Sequence, residues 1–153
     1  MNNITVRKMS ASDVDFLYKI ETKCFTQPWS KRDFAIIPSL DYAHFFVLEY
    51  DNYIVGFAGI YVLDVAELMN IAVLPNFQRM HFASMLLEEC IKEAKRQKAE
   101  KMLLEVRKSN KAAIALYKKF GFFNFGVRRN YYKAPVEDAI IMMKDFKNEY
   151  SFF

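Results

Sequence analysis

The sequence predicts one α/β domain, residues 1–153, in which a mixed sheet carries helices on its faces. Two observations predict this class: apolar residues alternate along short runs, as in strands, and recur about every 3.6 residues along longer runs, as in helices. The runs come in the order strand, two helices, three strands, helix, strand, helix, two strands. A chain of 153 residues, 53% of them hydrophobic, can bury one good core.

Capping and hairpin signals predict the first elements. Ile4–Met9 alternates as a strand, and Ser12 or Asp13 can cap the helix that follows. That helix breaks before Pro28, and Ser30 can cap a short second helix. Three β-rich runs come next, the first two joined by a two-residue hairpin turn: His44–Tyr50, Tyr53–Leu63 and Glu67–Leu74.

The second half of the chain alternates between helix and strand patterns. A long helix is predicted over Phe82–Lys98, because its apolar residues form one stripe with Glu and Lys on the other face. Lys101–Arg107 is predicted as a strand, and Asn110 begins a shorter helix that Gly121 ends. The last two predicted strands are Phe122–Tyr132 and Asp138–Phe146.

The composition excludes several function classes. The chain has four glycines where about 11 are expected from average usage, and they form neither a dinucleotide-binding nor a P-loop fingerprint. Two histidines and two cysteines lack the spacing of a zinc site, so no metal is expected. A serine-hydrolase elbow and an RNA-binding aromatic motif are also absent from the sequence.

The distribution of charge indicates which partners the protein could bind, and the cysteine content indicates its cellular compartment. Residues 1–76 carry a net charge of −3 and residues 77–153 one of +7, which suits a cationic and an anionic partner rather than direct binding of nucleic acid. The alternative is that the basic excess is solvated helix surface. Cys24 and Cys90 are too few for a disulfide framework, and the longest uncharged run, Asn52–Leu63, is too short to span a membrane. A cytoplasmic protein is therefore expected.

The segment after Leu74 is a candidate phosphate site. The strand stops at Pro75, a short loop follows, and a helix starts without an acid in its first turn. Backbone N–H groups at such a helix start attract phosphate oxygens, and Arg79 adds a positive charge. The alternative is an ordinary helix start, since every helix has such an end.

The segment from Leu103 to Asn110 is a candidate site for proton transfer. Strand alternation places Leu103, Glu105 and Arg107 on one face, and a carboxylate near a strand end can act as a general base. The alternative is a surface carboxylate paired with Arg107 or a lysine. Asn110 is most simply a helix N-cap, and Tyr117 most simply packs in its apolar stripe, although its hydroxyl could reach a leaving group.

Motifs from Val6-Arg7 to Met143 resemble those of the GCN5-related N-acetyltransferases (GNAT), and among them the RimI-type branch of bacterial enzymes that acetylate the N-terminal alanine of a small-subunit ribosomal protein. The resemblance implies a central mixed, mostly antiparallel, twisted sheet of about seven strands with about four helices. The stretches that carry it include Pro28-Trp29-Ser30, Asn70-Ile71-Ala72-Val73, Gln78-Arg79, Leu104-Glu105-Val106-Arg107, Ser109-Asn110, Leu116-Tyr117 and Arg128-Arg129-Asn130-Tyr131-Tyr132.

The resemblance also implies a reaction and a set of site residues. Acetyl-CoA would donate acetyl directly to the α-amino group of a protein N-terminal peptide; a monomer or weak dimer is expected. Glu105 would deprotonate the amine through water, and Tyr117 would protonate the departing thiolate. The remaining roles concern binding: Ile71, Ala72, Val73 and Asn110 for the pantetheine arm, Arg79, Met80, His81, Phe82, Ala83 and Ser84 for the pyrophosphate, and Trp29, Tyr131 and Tyr132 for the peptide.

One position departs from the family pattern. The family has Gln/Arg-x-x-Gly-x-Gly/Ala across the pyrophosphate loop, whereas this chain has His81 at the first glycine and the permitted Ala83 at the second. Glycine lets the backbone approach phosphate closely, and histidine tolerates left-handed backbone better than most residues. Two alternatives stay open: an acetyltransferase of small amines or other protein N-termini and, if His81 impairs the pyrophosphate loop, a non-catalytic acyl-CoA-binding module.

Overall fold

Seven strands and four α-helices make up the part of the chain, residues 3–147, that the computed structural model describes. The predicted element order is confirmed. The strands are β1 (Ile4–Lys8), β2 (Ala43–Tyr50), β3 (Tyr53–Val62), β4 (Ala66–Val73), β5 (Lys101–Arg107), β6 (Phe123–Lys133) and β7 (Val136–Asp145). The helices are α1 (Val14–Cys24), α2 (Lys31–Ala35), α3 (Phe82–Arg96) and α4 (Lys111–Lys119).

The strands form one sheet in the order β1-β2-β3-β4-β5-β7-β6. All neighbours are antiparallel except β4 and β5, which are parallel because α3 crosses over between them. The last strand, β7, lies between β5 and β6. The mixed, mostly antiparallel sheet expected from the sequence is thus confirmed.

The start of α1 agrees with the prediction in position but not in bonding. Asp13 is the N-cap residue of α1, as one of the two predicted candidates, but its side chain makes no capping hydrogen bond to the helix, and a short 3-10 turn precedes it. The Asp13 carboxylate accepts hydrogen bonds from the backbone N–H of Ser10 (2.7 Å) and from the Arg7 guanidinium (2.8 and 2.9 Å). By contrast, Ser30 caps α2 as predicted, since its hydroxyl accepts from the backbone N–H of Asp33.

Each face of the sheet buries a separate apolar cluster. On one face α3 packs through a stripe that includes Leu86, Leu87 and Cys90. On the other face α1 and α2 pack through Leu17, Ile20 and Phe34 against alternate residues of β2 and β3, namely Phe45, Val47 and Phe57. Gly59 is required here, because a Cβ at this position would lie 2.2 Å from the Phe45 ring. Within the described residues, no helix is long and apolar enough to cross a membrane.

Candidate active site

A gap opens in the sheet between β4 and β5. The two strands pair only at Ala66–Met102 and Glu67–Leu103, and beyond these pairs they separate. A β-bulge accompanies the separation: Gly59 of β3 lies opposite Asn70, whereas Ile60 lies opposite Leu68, which leaves Met69 as the extra residue. A bulge bends its strand and increases its twist, so β4 turns away from β5 at this level.

Backbone groups of β4 face this gap. The N–H of Leu74 donates to Val55 O across the β3–β4 pair. Because backbone direction alternates along a strand, the N–H groups of Ile71 and Val73 point away from β3 and toward the gap, whereas that of Ala72 faces β3. The family resemblance assigned Ile71, Ala72 and Val73 to the pantetheine arm. Two of them, Ile71 and Val73, therefore have backbone N–H groups that can donate into the gap.

The β4–α3 loop (residues 74–81) closes one end of the gap. Its Arg79 and His81 both have left-handed backbone, with φ of 66° and 64°. His81 is the N-cap residue of α3, and its side chain makes no capping hydrogen bond. The position where the family has glycine thus has the conformation that glycine favours, and histidine adopts it here.

The start of α3 has the features of an anion site. The first turn, Phe82–Ser84, contains no acid, and its N–H groups lie at the positive end of the helix dipole. Arg79 and Met80 are exposed beside it, and Arg79 forms no ion pair with the residues that the structure describes. The Gln78 side chain donates to Val73 O at 3.0 Å and so fixes the loop to the end of β4.

Glu105 lies on β5 two residues beyond its last pair with β4, at the edge of the gap. Its carboxylate pairs with Arg128 Nε of β6 at 3.0 Å, and its side chain is 29% exposed. The sequence offered the alternative that Glu105 is a surface carboxylate paired with Arg107 or a lysine. Glu105 is indeed ion-paired, but its partner is Arg128. A hydrogen bond with Glu105 also raises the pKa of Tyr131.

The two residues singled out at α4 occupy different environments. Asn110 caps the helix as predicted, because its Oδ1 accepts from the backbone N–H of Ala113 at 3.2 Å. Tyr117 is only 4% exposed and packs edge-on against Phe122. Burial raises the pKa of the Tyr117 phenol, so the hydroxyl keeps its proton at neutral pH.

The aromatic pair on β6 is supported by an arginine. The rings of Tyr131 and Tyr132 meet edge-on with centroids 5.1 Å apart, and the Arg107 guanidinium lies 4.4 Å from the centre of the Tyr132 ring. Burial is the main cause that raises the pKa of Tyr132 to about 12. Arg107 also pairs with Glu137 at 3.2 Å and donates to Pro135 O at 2.9 Å, which fixes the β6–β7 turn (residues 134–135).

The α1–α2 loop (residues 25–30) lies against the same turn. The hydroxyl of Thr26 donates to Ala134 O, and the backbone N–H of Lys133 donates to Gln27 Oε1 at 3.3 Å. The Trp29 ring is half-buried and packs on Phe34, at 5.4 Å between ring centres. We call the loop and the turn, together with Tyr131 and Tyr132, the peptide groove, after the substrate role that the family resemblance implies for Trp29, Tyr131 and Tyr132.

Some residues at this site were not among the predicted ones. Phe25 is an exposed aromatic side chain of the α1–α2 loop, at 40% exposure, and it stands in the aromatic segment that breaks the first helix. Arg128 joins the site through its ion pair with Glu105, and Glu137 joins it through its ion pair with Arg107. The Arg128–Tyr132 segment was among the resembling motifs, but the partner of each side chain depends on how β6 and β7 pair with β5.

Residues 14–122 of the chain match the Acetyltransferase (GNAT) family. A relative from Salmonella typhimurium, a [ribosomal protein bS18]-alanine N-acetyltransferase, is 41% identical over 145 residues, which cover 93% of this chain and 96% of the relative. The crystal structure of the ribosomal-protein-S18-alanine N-acetyltransferase from Escherichia coli superposes with a TM-score of 0.85 at 39% identity, covering 95% of this chain and 94% of that one.

A more distant structure shows the same fold. A GNAT family acetyltransferase from Elizabethkingia anophelis, crystallised with acetyl-CoA bound, is 24% identical and has a TM-score of 0.77, with 94% of this chain and 98% of that chain covered. The family match spans more than two thirds of the sequence and includes β4, the β4–α3 loop, β5 and α4. This chain belongs to the GNAT family of acetyltransferases.

Proposed function

We propose that the chain is an acetyl-CoA-dependent N-terminal protein acetyltransferase that acts on the N-terminal alanine of a small-subunit ribosomal protein. The relatives from Salmonella and Escherichia coli, each about 40% identical over at least 90% of the chain, carry that activity in their names. The observation that supports the proposal is the gap between β4 and β5: the N–H groups of Ile71 and Val73 point away from β3 toward it, and Glu105 lies on β5 two residues past the last pair with β4.

The residues around the gap fit acetyl-CoA, which supplies an acetyl group activated as a thioester. The N–H groups of Ile71 and Val73 match an amide-bearing pantetheine arm and a thioester carbonyl, where they stabilise negative charge on oxygen. Arg79 and the start of α3 match the pyrophosphate. Asn110 uses its Oδ1 as a helix cap, which leaves its amide N–H groups to donate to the pantetheine arm.

The side chains at the gap account for proton movement. Glu105, through one water, accepts the proton of the α-ammonium group, which titrates near pH 7.7–8.0 and needs only a weak base. The amine then attacks the acetyl carbonyl; a C–N bond forms and the C–S bond breaks. Tyr117 donates its proton to the departing sulfur, and the second proton lost by the nitrogen restores the neutral phenol, so the products are the amide, the thiol of CoA and a protonated Glu105. An amine attacks a thioester directly, so no nucleophile of the protein is required.

The peptide groove supplies the substrate side of the reaction. Tyr131 and Tyr132 line one wall, and the α1–α2 loop with Trp29 forms the other. Acidic groups in the amino-terminal half of the chain favour a basic ribosomal tail, and the basic carboxyl-terminal half favours the anionic cosubstrate. We place the reaction in the cytoplasm, where ribosomal proteins are made.

The proposal is tested by acetyl transfer to peptides that begin with alanine, serine or methionine and are otherwise identical. We expect the alanine peptide to be acetylated with the highest kcat/KM, and small amines to react poorly. Equal rates for all three peptides, or faster reaction of a small amine, would contradict the proposed substrate. Both enzyme alternatives require acetyl-CoA, and calorimetry tests whether the protein binds it. An absence of binding at millimolar concentration would contradict both and favour a non-catalytic protein that does not use this cosubstrate.

A further inference from the structure

A buried carboxylate outside the catalytic residues joins three parts of the site. Glu21, in the last turn of α1, is 2% exposed. Its Oε2 accepts from the backbone N–H of Trp29 at 2.9 Å, and both of its oxygens accept from Nδ2 of Asn70, at 3.0 and 3.2 Å. The carboxylate thus connects α1, the α1–α2 loop and β4.

This polar cluster is costly to bury. Within the described residues, no lysine, arginine or histidine pairs with Glu21, and burial raises the pKa of its carboxyl. Asn70 is 8% exposed, and its Oδ1 is buried without a hydrogen-bond partner among residues 3–147. An apolar pair would fill this space at lower cost, so stability alone does not account for the cluster.

The position of the cluster indicates what it does. Asn70 adjoins the β4 bulge and directly precedes Ile71, whose N–H faces the gap. The α1–α2 loop is held at its other end by the contacts of Thr26 and Gln27 with the β6–β7 turn. Glu21 therefore fixes the distance between the strand that faces the acetyl group and the wall of the peptide groove.

We propose that Glu21 and Asn70 are positioning residues for the peptide substrate: they hold the α1–α2 loop at a set distance from β4, so that the incoming amine meets the acetyl group in the reactive geometry. This proposal rests on the proposed function. It predicts that disturbing the pair changes the KM for peptide and leaves the KM for acetyl-CoA unaltered.

Three variants test the pair. Asn70→Asp sets a second carboxylate against Glu21, and Glu21→Gln keeps an acceptor for the Trp29 N–H. In the double variant, the amide introduced at position 21 donates to the carboxylate introduced at position 70, so carboxylate and amide are exchanged between the two positions. We expect Asn70→Asp to raise the peptide KM about tenfold and the double variant to return it to within about threefold of the wild type, as contacting residues couple.

Trp29 supplies a readout that does not require turnover, because it is the only tryptophan of the chain. We expect its fluorescence emission to shift to the red in Asn70→Asp and to return in the double variant, both without substrate. The control is Glu93→Gln on α3: Glu93 is equally buried, at 3%, but bonds to Arg96 and Gln97 on the opposite face of the sheet from α1. This control is expected to lower the melting temperature without changing the peptide KM or the emission.

The outcomes separate the proposals. Failure of the double variant to recover both emission and peptide KM, or an equal rise of both KM values in Asn70→Asp, would overturn the positioning role. If Asn70→Asp does not fold, recovery of folding, emission and peptide KM in the double variant still supports the pair. A wild-type chain that does not acetylate alanine peptides contradicts the proposed function instead, while the emission of the three variants continues to test the contact.

Discussion

The β4–α3 loop and the peptide groove are built differently. The loop takes its shape from residues near in sequence: Gln78 donates to Val73 O, and the backbone N–H of Met85 donates to His81 O. The groove depends on contacts between residues 106 and 108 positions apart in the chain. On the proposed function, a cosubstrate common to a large family is bound by a local motif, whereas the protein substrate is bound by a surface that exists only after folding.

The largest expected effect is at Glu105, where the two regions meet. Glu105→Gln keeps the shape of the side chain but removes the base, and we expect turnover to fall by roughly 10²–10⁴. Steady-state kinetics at pH 7 with saturating acetyl-CoA measures the effect. An unchanged rate would remove Glu105 from the role of base.

The control for this variant is Arg128→Gln. It breaks the same ion pair, at 3.0 Å, but leaves the carboxylate in place. We expect it to lose less than about tenfold in turnover, because general-base catalysis is retained. A loss as large as that of Glu105→Gln would show that the ion pair, rather than the base, matters.

The second prediction concerns the groove. Arg107→Gln removes the guanidinium that bonds to Pro135 O and Glu137 and lies against Tyr132. The β6–β7 turn then loses one of its anchors, and we expect the peptide KM to rise about tenfold, which corresponds to about 1.4 kcal/mol. The KM for acetyl-CoA should stay within about twofold of the wild type, since the hydrogen bonds of the Arg107 side chain go to the turn and to Glu137 rather than to the β4–α3 loop.

Arg107 also shows why the groove could not be predicted in full. Strand alternation placed Leu103, Glu105 and Arg107 on one face, and the half-exposed positions along β5 agree with this. The partners of Arg107 lie 27–30 residues further along the chain, and they reach it because β7 inserts between β5 and β6. Local periodicity carries no information on that strand order.

The loop, by contrast, follows largely from the sequence. Pro75 and the apolar stripe of α3 are local signals, and they predicted the end of β4 before Pro75 and the start of the helix at Phe82. The site role of His81 came from the family resemblance, and that of Arg79 came from the helix start as well as from the resemblance; both stay proposals. The ends of elements were predicted less closely: α3 stops at Arg96 rather than Lys98, and β7 starts at Val136 rather than Asp138.

The third prediction is the counterpart of Arg107→Gln in the β4–α3 loop. Arg79→Gln removes an exposed positive charge beside the start of α3, and we expect the KM for acetyl-CoA to rise about fivefold, or about 1 kcal/mol. The difference from wild type should shrink at high salt, because exposed charges are screened. A rise in the peptide KM instead would break the separation between the two regions.

The smallest expected effect is at His81. His81 has a left-handed backbone conformation, with φ of 64°, which is unfavourable for a residue with a Cβ atom. His81→Gly removes this unfavourable energy in the folded state but makes the unfolded chain more flexible. The two changes oppose each other, so the free energy of unfolding should change by less than about 1 kcal/mol. Calorimetry should find acetyl-CoA affinity equal to that of the wild type or up to about threefold higher, because the backbone already has the conformation that the family's glycine supplies. A large loss of affinity would instead identify the imidazole as a phosphate ligand, and the loop would then bind through a side chain that the family's glycine lacks.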